Sequence, residues 1–247
     1  FYAAGVLAIV NWLYGFFVLP ESLPLDKRRP LELRKLNPVA SLQGLNRLKG
    51  VGPLIFVLAL SSLAQFMLHT SWVLYTKFKF GWGPGQVGWS LLAVGVVSVI
   101  SQGVLLRPLL KRFTPQRLAL VGMTSGVIAY LGFGLASEGW MMYVVIVANV
   151  FGYMVQPGLQ SVVANAVDPS RQGESMGAVS SINSVAAVVG PLLGTPLLAA
   201  VSHYPRGDWH LGAPFYLCAA VQGVAAIVGL RYFARQHHEP VAQRVST

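Results

Sequence analysis

The stretch SMGAVSSINSVAAVVGPLLGTPLLAAVS, residues 175–202, runs for 28 positions without a charged side chain. An α-helix rises 1.5 Å per residue, so about 20 mostly apolar residues cross the hydrocarbon core of a bilayer. A soluble helix of this length would carry charges on the face that meets water. The stretch therefore predicts a transmembrane helix.

Six further apolar runs have the same character. They cover residues 1–19, 51–76, 86–106, 117–137, 140–164 and 212–233. Most are long and continuous, without the roughly ten-residue alternation of an outer-membrane barrel, and backbone groups in lipid must pair within their own segment. Only 11% of the residues are charged, against about 25% in soluble domains. We predict an all-α integral membrane bundle of seven spans.

The distribution of basic residues predicts the orientation of the bundle in the membrane. Alternate connectors, with the C-terminal tail, hold 15 of the 18 Lys and Arg residues, and the richer side is expected to be cytoplasmic. This predicts a multi-pass protein of the cell (inner) membrane with residue 1 outside and the tail inside. The cluster Lys27-Arg28-Arg29 fits a solvated cytoplasmic loop, so no nucleic-acid partner is predicted.

The spans contain no residue pattern typical of an enzyme active site. The acidic residues all lie in connectors or at span ends, and Cys218 is the single cysteine. Buried carboxylate pairs, zinc-ligand spacings and an activated lysine are therefore missing from the spans. We predict no catalytic residue, no metal and no cofactor.

Polar side chains nevertheless follow helical faces within two spans. Residues spaced by three or four positions share a face, and two such sets occur, with Gln65, His69 and Trp72 in one and Asn149, Tyr153, Gln156 and Gln160 in the other. We interpret them as walls of a substrate cavity, completed by Gln102 beside Ser98 and by Asn183 beside Ser180. The alternative is that these side chains only join helices by hydrogen bonds.

Two further expectations concern protons and movement. His69 is the one mid-span side chain that titrates near neutral pH, so it is the candidate for proton coupling, with a neutral packing histidine as the alternative. Pro157 and Pro191 interrupt helix hydrogen bonds, while Gly190 and Gly194 permit close helix approach. These four residues are candidates for gating or packing.

The connector after the first span carries three motifs. They are Leu19-Pro20-Glu21-Ser22-Leu23-Pro24, Lys27-Arg28-Arg29-Pro30 and Leu36-Asn37-Pro38-Val39. In this order they resemble the central cytoplasmic loop of tetracycline-resistance-type transporters of the major facilitator superfamily. Further similar stretches are Phe80-Gly81-Trp82, Val87-Gly88-Trp89-Ser90-Leu91, Ser101-Gln102-Gly103, Lys111-Arg112-Phe113, Arg171-Gln172-Gly173-Glu174 and Gly190-Pro191.

The resemblance implies a twelve-helix drug/proton antiporter. Residues 1–19 would be helix six, 20–50 the central loop, 51–233 the C-terminal six-helix half and 234–247 a cytoplasmic tail. Because Phe1 already lies in an apolar run and no Met precedes it, we interpret the chain as a fragment whose partner is a missing N-terminal half. The implied activity is efflux of a drug or other small molecule by alternating access.

The same resemblance assigns individual residues. It places the cavity wall on the faces already described, and it likens Arg107, Lys111 and Arg112 to a degenerate second copy of the superfamily's glycine, aspartate and arginine loop motif. Gly126 and Ser98 stand where tetracycline exporters carry an aspartate and a histidine, which argues against tetracycline as the substrate. The main coupling acids would then lie in the missing half, unless His69 serves.

A seven-helix receptor, or another non-transport membrane protein, is the alternative. Seven spans with the N-terminus outside fit a receptor equally well. The chain lacks an Asp-Arg-Tyr sequence, an Asn-Pro-x-x-Tyr sequence and an extracellular cysteine pair, which favours the transporter.

Overall fold

The structure is a computed structural model that describes residues 2–18, 52–165 and 172–238, and every regular element in these ranges is helical. The helices are α1 (Tyr2–Phe17), α2 (Gly52–Phe80), α3 (Pro84–Val99), α4 (Leu106–Arg112), α5 (Pro115–Leu135), α6 (Gly139–Ala148), α7 (Val155–Asn165), α8 (Gln172–Val201) and α9 (Ala213–His238). A π-helical turn, Ile100–Leu105, joins α3 to α4, and a 3-10 turn, Asn149–Met154, joins α6 to α7. A second 3-10 turn, Trp209–Gly212, leads into α9.

Six helices are long and apolar enough to cross a membrane. They cover Gly52–Phe80, Pro84–Arg112, Pro115–Leu135, Gly139–Ala164, Ser175–Val201 and Trp209–Ala234. This confirms the predicted all-α membrane fold. The remaining predicted span corresponds to α1, a shorter apolar helix that belongs to a separate compact unit of the chain. The predicted central loop, residues 20–50, lies outside the described residues.

The ends of several spans differ from prediction, among them the end of α9, which continues to His238, five residues into the predicted tail. Helix α2 continues to Phe80 and includes Lys77 and Lys79, which were predicted to lie in a connector. The segment of Arg107, Lys111 and Arg112, predicted as a loop, is helical as α4. Pro108 lies in the first turn of α4, directly after the π-helical turn, whereas proline in a regular helix interior would remove a backbone hydrogen bond.

The outer surface of the bundle is apolar. Side chains such as Trp89, Val188 and Leu192 are about two-thirds exposed. A contiguous apolar surface of this kind is rare on a soluble monomer and normal where lipid is the solvent. Inside, one aromatic cluster joins α2 to α5 and α9, and includes Trp72 and Phe215, whose ring centroids are 6.3 Å apart.

Two glycines of α8 let its backbone approach α2. A Cβ atom added at Gly190 would lie 2.9 Å from Phe66 Cβ and 3.0 Å from Met67 N, and one at Gly194 would lie 2.6 Å from Ser71 Oγ. Close backbone approach is what small residues provide in membrane helix pairs, since no hydrophobic effect drives helices together within lipid. The sequence GPLLG therefore lies at a close backbone contact between α8 and α2.

Alanine at position 190 should destabilise this contact. The methyl group meets backbone of α2, so the helices must separate, at a cost of about 1–3 kcal/mol for overpacking. This exceeds the roughly 1 kcal/mol that Gly→Ala contributes to helix propensity. We expect a lower thermal midpoint for Gly190→Ala by detergent size-exclusion chromatography after heating. Gly177→Ala is the control, because a Cβ there meets nothing within 4 Å; equal midpoints for the two variants would contradict the prediction.

At the other end of α2, two side chains cap the last turn of α5. Tyr75 OH donates to the Phe133 carbonyl, and Lys79 Nζ donates to the Gly134 carbonyl at 2.7 Å. The final carbonyls of a helix lack partners within the helix, and its C-terminal dipole favours a cation. Lys79 can therefore be only 2% exposed and still bind a strong acceptor. The C-terminus of α5 is thus fixed to α2.

The connector before α9 is held by hydrogen bonds at the same end of the bundle, beside the C-terminus of α5. Asp208 begins the 3-10 turn and accepts a hydrogen bond from the His210 backbone N–H at 2.8 Å, while His210 Nδ1 lies 2.7 Å from the same carboxylate oxygen. The backbone N–H and the ring of His210 hold the pKa of Asp208 below its usual value. Tyr204 stacks on the His210 ring with centroids 4.3 Å apart. These contacts order the turn that delivers Gly212 to the end of α5.

Candidate functional site

A cavity of about 600 Å³ opens among α2, α3, α5 and α7, within the size range of small-molecule pockets. Its wall includes eight of the nine residues that sequence spacing selected. They are Gln65, His69, Trp72, Gln102, Asn149, Tyr153, Gln156 and Gln160. The two polar helical faces and the third-span amide therefore meet in one place.

Two of the three irregular turns in the described part of the bundle lie at this cavity. Gln102 belongs to the π-helical turn, and Asn149 and Tyr153 belong to the 3-10 turn. Irregular backbone at membrane depth must have its polar groups satisfied by protein or by a water-filled cavity. Ser101 Oγ does this by donating to the Val150 carbonyl at 2.7 Å, which ties one irregular turn to the other.

Asn149 is held from two sides. Its Oδ1 accepts a hydrogen bond from Ser125 Oγ of α5 at 3.1 Å, and its amide lies against Gly152, where a Cβ atom would overlap it. Gly122 of α5 lets the 3-10 turn come close, since a Cβ there would lie 2.7 Å from the Phe151 carbonyl. The position of Asn149 thus depends on small residues around it.

A chain of hydrogen bonds connects the cavity to α8. Gln156 Nε2 donates to Ser62 Oγ at 3.1 Å, and Ser62 Oγ donates to Asn183 Oδ1 at 2.7 Å. Asn183 does not line the cavity; it supports Gln156 through Ser62. The Gln156 Oε1 atom is buried and has no hydrogen-bond partner among the described residues.

His69 and Trp72 differ in their surroundings. Trp72 is buried, donates from Nε1 to Ser90 Oγ at 3.1 Å, and meets the Phe133 ring edge-on at 5.1 Å. It therefore closes one end of the cavity as part of the aromatic core. The His69 side chain is exposed at the cavity and makes no hydrogen bond with the described residues.

With this geometry established, the chain can be compared with known proteins. A family model described as Major Facilitator Superfamily matches residues 1–191 and again 54–246. The chain belongs to the Major Facilitator Superfamily. This confirms the resemblance seen in the motifs, and it favours a transporter over a receptor or an enzyme.

Relatives within the superfamily show which type of member this chain resembles. The chain is 30% identical over 218 residues to the tetracycline resistance protein, class C, of Escherichia coli, covering 88% of this chain and 55% of that protein. It is 26% identical over 217 residues to the class D protein of Salmonella ordonez, covering 87% and 54%. The chain thus resembles the tetracycline-resistance type and spans about half the length of these relatives.

Solved structures support the same fold. The human organic anion transporter MFSD10 (TETRAN) superposes with a TM-score of 0.67 at 23% identity, over 91% of this chain and 55% of that one. The superfamily transporter FucP, in its outward conformation, superposes with a TM-score of 0.60 at 17% identity, over 91% and 53%. Members of the superfamily are multi-pass proteins of the bilayer that act on small molecules.

The other predicted residues of this superfamily chain lie around the cavity or away from it. Pro157 lines the cavity on α7. Pro191 lies inside α8, between the two glycines that contact α2. Arg107, Lys111 and Arg112 are exposed on α4. They do not line the cavity.

Several cavity residues were not selected from the sequence. The polar and aromatic ones are Ser61, Tyr130, Phe133 and Gln222, and Ser62 lies behind the wall. Gln222 Nε2 donates to Ser61 Oγ at 3.3 Å across α9 and α2. A lone amide in an otherwise apolar span was the available signal for Gln222. The two serines carry no such signal, since most membrane serines bond to their own helix.

Proposed function

We propose that this chain forms the C-terminal half of a twelve-helix secondary transporter that exports a drug or other small molecule in exchange for protons. The observation that carries the proposal is the convergence of eight predicted polar residues on one cavity of about 600 Å³. Relatives named for tetracycline resistance, of which the chain spans about half, support efflux and a second half. Helix α1 would be helix six, and α2–α9 would form helices seven to twelve.

The composition of the cavity wall supports a particular substrate chemistry. Its polar groups are amides, hydroxyls, an indole and an imidazole, and no described lining residue is Asp, Glu, Lys or Arg. Neutral amides both donate and accept hydrogen bonds, and aromatic rings add apolar contact. Such a wall suits a polyfunctional, partly aromatic molecule better than a small, highly charged metabolite.

The proposed orientation follows the basic residues. We place the end that carries Lys111, Arg112 and Arg117 in the cytoplasm of the cell (inner) membrane, and the end that carries Lys79 and Asp208 outside. The C-terminal tail is then cytoplasmic and residue 1 is outside. The cavity lies between these two ends, as a transport site must for alternating access.

His69 is our candidate for proton coupling in this half. An exposed imidazole at the cavity, without a partner among the described residues, can gain and release a proton without breaking the fold. We assign the conformational change of this half to its two proline-containing helices. Pro157 lies beside the cavity on α7, and Pro191 lies on α8 between Gly190 and Gly194, which contact α2. Proline in these positions weakens the backbone ladder locally.

Efflux is tested with the full-length protein in cells that lack their own exporters. We expect lower accumulation of at least one compound in a broad drug panel, restored when an uncoupler collapses the proton gradient. Gln156→Leu should reduce transport efficiency about tenfold, because it removes one polar contact with the substrate and the hydrogen bond from Gln156 to Ser62. Gln116→Leu, on α5 outside the cavity wall, should retain it. Unchanged accumulation across the panel would refute drug efflux.

A further inference from the structure

A second concavity lies on the outside of the bundle. This outer groove, between α5 and α6, has a volume of about 570 Å³. Its walls include Val121, Ile128 and Val144, which are 51%, 66% and 55% exposed. Among their described lining residues, the outer groove and the central cavity have only Asn149 in common. The groove is therefore a separate concavity.

The outer groove has the length of one lipid leaflet. On α5 it extends from Leu120 to Gly132, which at 1.5 Å per residue is about 18 Å. Half of the hydrocarbon core of a bilayer is about 15 Å. The groove therefore has about the length of an extended acyl chain in one leaflet.

A positive charge stands at one end of the same stripe. Residues 121, 124, 128 and 132 of α5 line the groove at helical spacing, and Arg117 continues this spacing one turn toward the N-terminus of α5. Arg117 is exposed, as are Lys111 and Arg112 at the end of α4. None of the three has an acidic partner among the described residues.

The two hydroxyl groups in the floor of the groove already have hydrogen-bond partners. Ser125 donates to Asn149, and Thr124 Oγ1 donates to the Leu120 carbonyl of its own helix at 3.0 Å. A ligand there gains little from hydrogen bonding and much from apolar contact. This favours a hydrocarbon chain over a second polar substrate molecule.

We propose that the outer groove binds an acyl chain of an anionic phospholipid whose phosphate is held by Arg117, with Lys111 and Arg112 near it. Basic pockets beside membrane helices recognise anionic headgroups in this way. The apolar length binds the acyl chain, and the cations, which have no acidic partner among the described residues, select an anionic headgroup. The proposed lipid is a different ligand from the transported substrate.

The test compares bound lipids by native mass spectrometry after the full-length protein is released from bilayers of equal phosphatidylglycerol and phosphatidylcholine. We expect a preference for phosphatidylglycerol that falls about fivefold in Arg117→Gln, the loss expected for one basic contact with an anionic lipid. Arg117→Lys should keep most of it. Ile128→Trp, which fills the groove, should remove the bound lipid.

The control variants come from α9, where Ile227 and Arg231 are exposed one helical turn apart and line neither the groove nor the cavity. Ile227→Trp and Arg231→Gln should leave lipid binding unchanged. Equal preference in Arg117→Gln and Arg231→Gln overturns the proposal. So does displacement of the lipid by soluble glycerol phosphate, which would make the headgroup alone the ligand, or a lipid-free dimer that covers the groove.

Discussion

Gly212→Ala is expected to yield a protein that unfolds at a much lower temperature than the parent. A Cβ atom at position 212 would overlap the Gly134 carbonyl and lie 2.7 Å from Gly134 Cα. Because both groups are backbone, no side chain can rotate away to relieve the overlap. The end of α5 would have to leave Lys79, whose ammonium depends on the Gly134 carbonyl. We expect a loss at the upper end of the roughly 1–3 kcal/mol that overpacking costs.

The measurement is the thermal midpoint in detergent, followed by size-exclusion chromatography. Gly223→Ala is the matched control, since it lies in the helix that follows and a Cβ there meets nothing within 4 Å. The control should be as stable as the parent, or slightly more stable through helix propensity. A Gly212→Ala protein with the midpoint of the control would show that this junction is not tightly packed.

His69→Ala is expected to abolish proton-driven transport while leaving substrate binding measurable. The expectation rests on the proposed function. Removing the imidazole removes the one histidine among the described residues of the cavity wall and leaves the amide side chains in place. Transport into inverted membrane vesicles should fall to background when driven by a pH gradient. Equilibrium binding of the same compound should weaken by less than tenfold, a cost below about 1.4 kcal/mol.

Two further variants separate titration from packing. His69→Gln keeps hydrogen-bonding capacity without a titratable group, so it should fail in the same way as His69→Ala. His203→Ala removes an exposed histidine outside the cavity wall and should retain transport. Full proton-driven transport by His69→Ala would assign this residue to packing and place the coupling group elsewhere.

Helical spacing could identify most of the polar cavity-lining residues because these residues lie on two long spans. Gln65 and His69 fall one turn apart in α2, as do Gln156 and Gln160 in α7, so a periodicity argument reaches them without tertiary structure. The resemblance to a known family pointed to the same faces. Asn183 satisfied the same criteria, yet it supports Gln156 through Ser62 rather than lining the cavity.

Other features could not be predicted because they arise between helices. Nothing local distinguishes Gly212, which meets another backbone, from Gly223, which meets nothing. The burial of Lys79 was equally hidden, since a lysine at the end of an apolar run normally marks the membrane boundary. Its partner, the final turn of α5, is 55 residues away. The outer groove likewise depends on how α5 and α6 diverge.

The π-helical turn at Ile100–Leu105 has a consequence for sequence length. Inserting a residue into a uniform α-helix rotates everything beyond it by about 100°, which would turn the basic residues of α4 toward a different neighbour. A π-helical turn absorbs an additional residue locally because its hydrogen bonds span five positions. Insertions and deletions at the cavity can therefore be accommodated in this turn, and the wall around Gln102 can change in length while α3 and α4 keep their orientation.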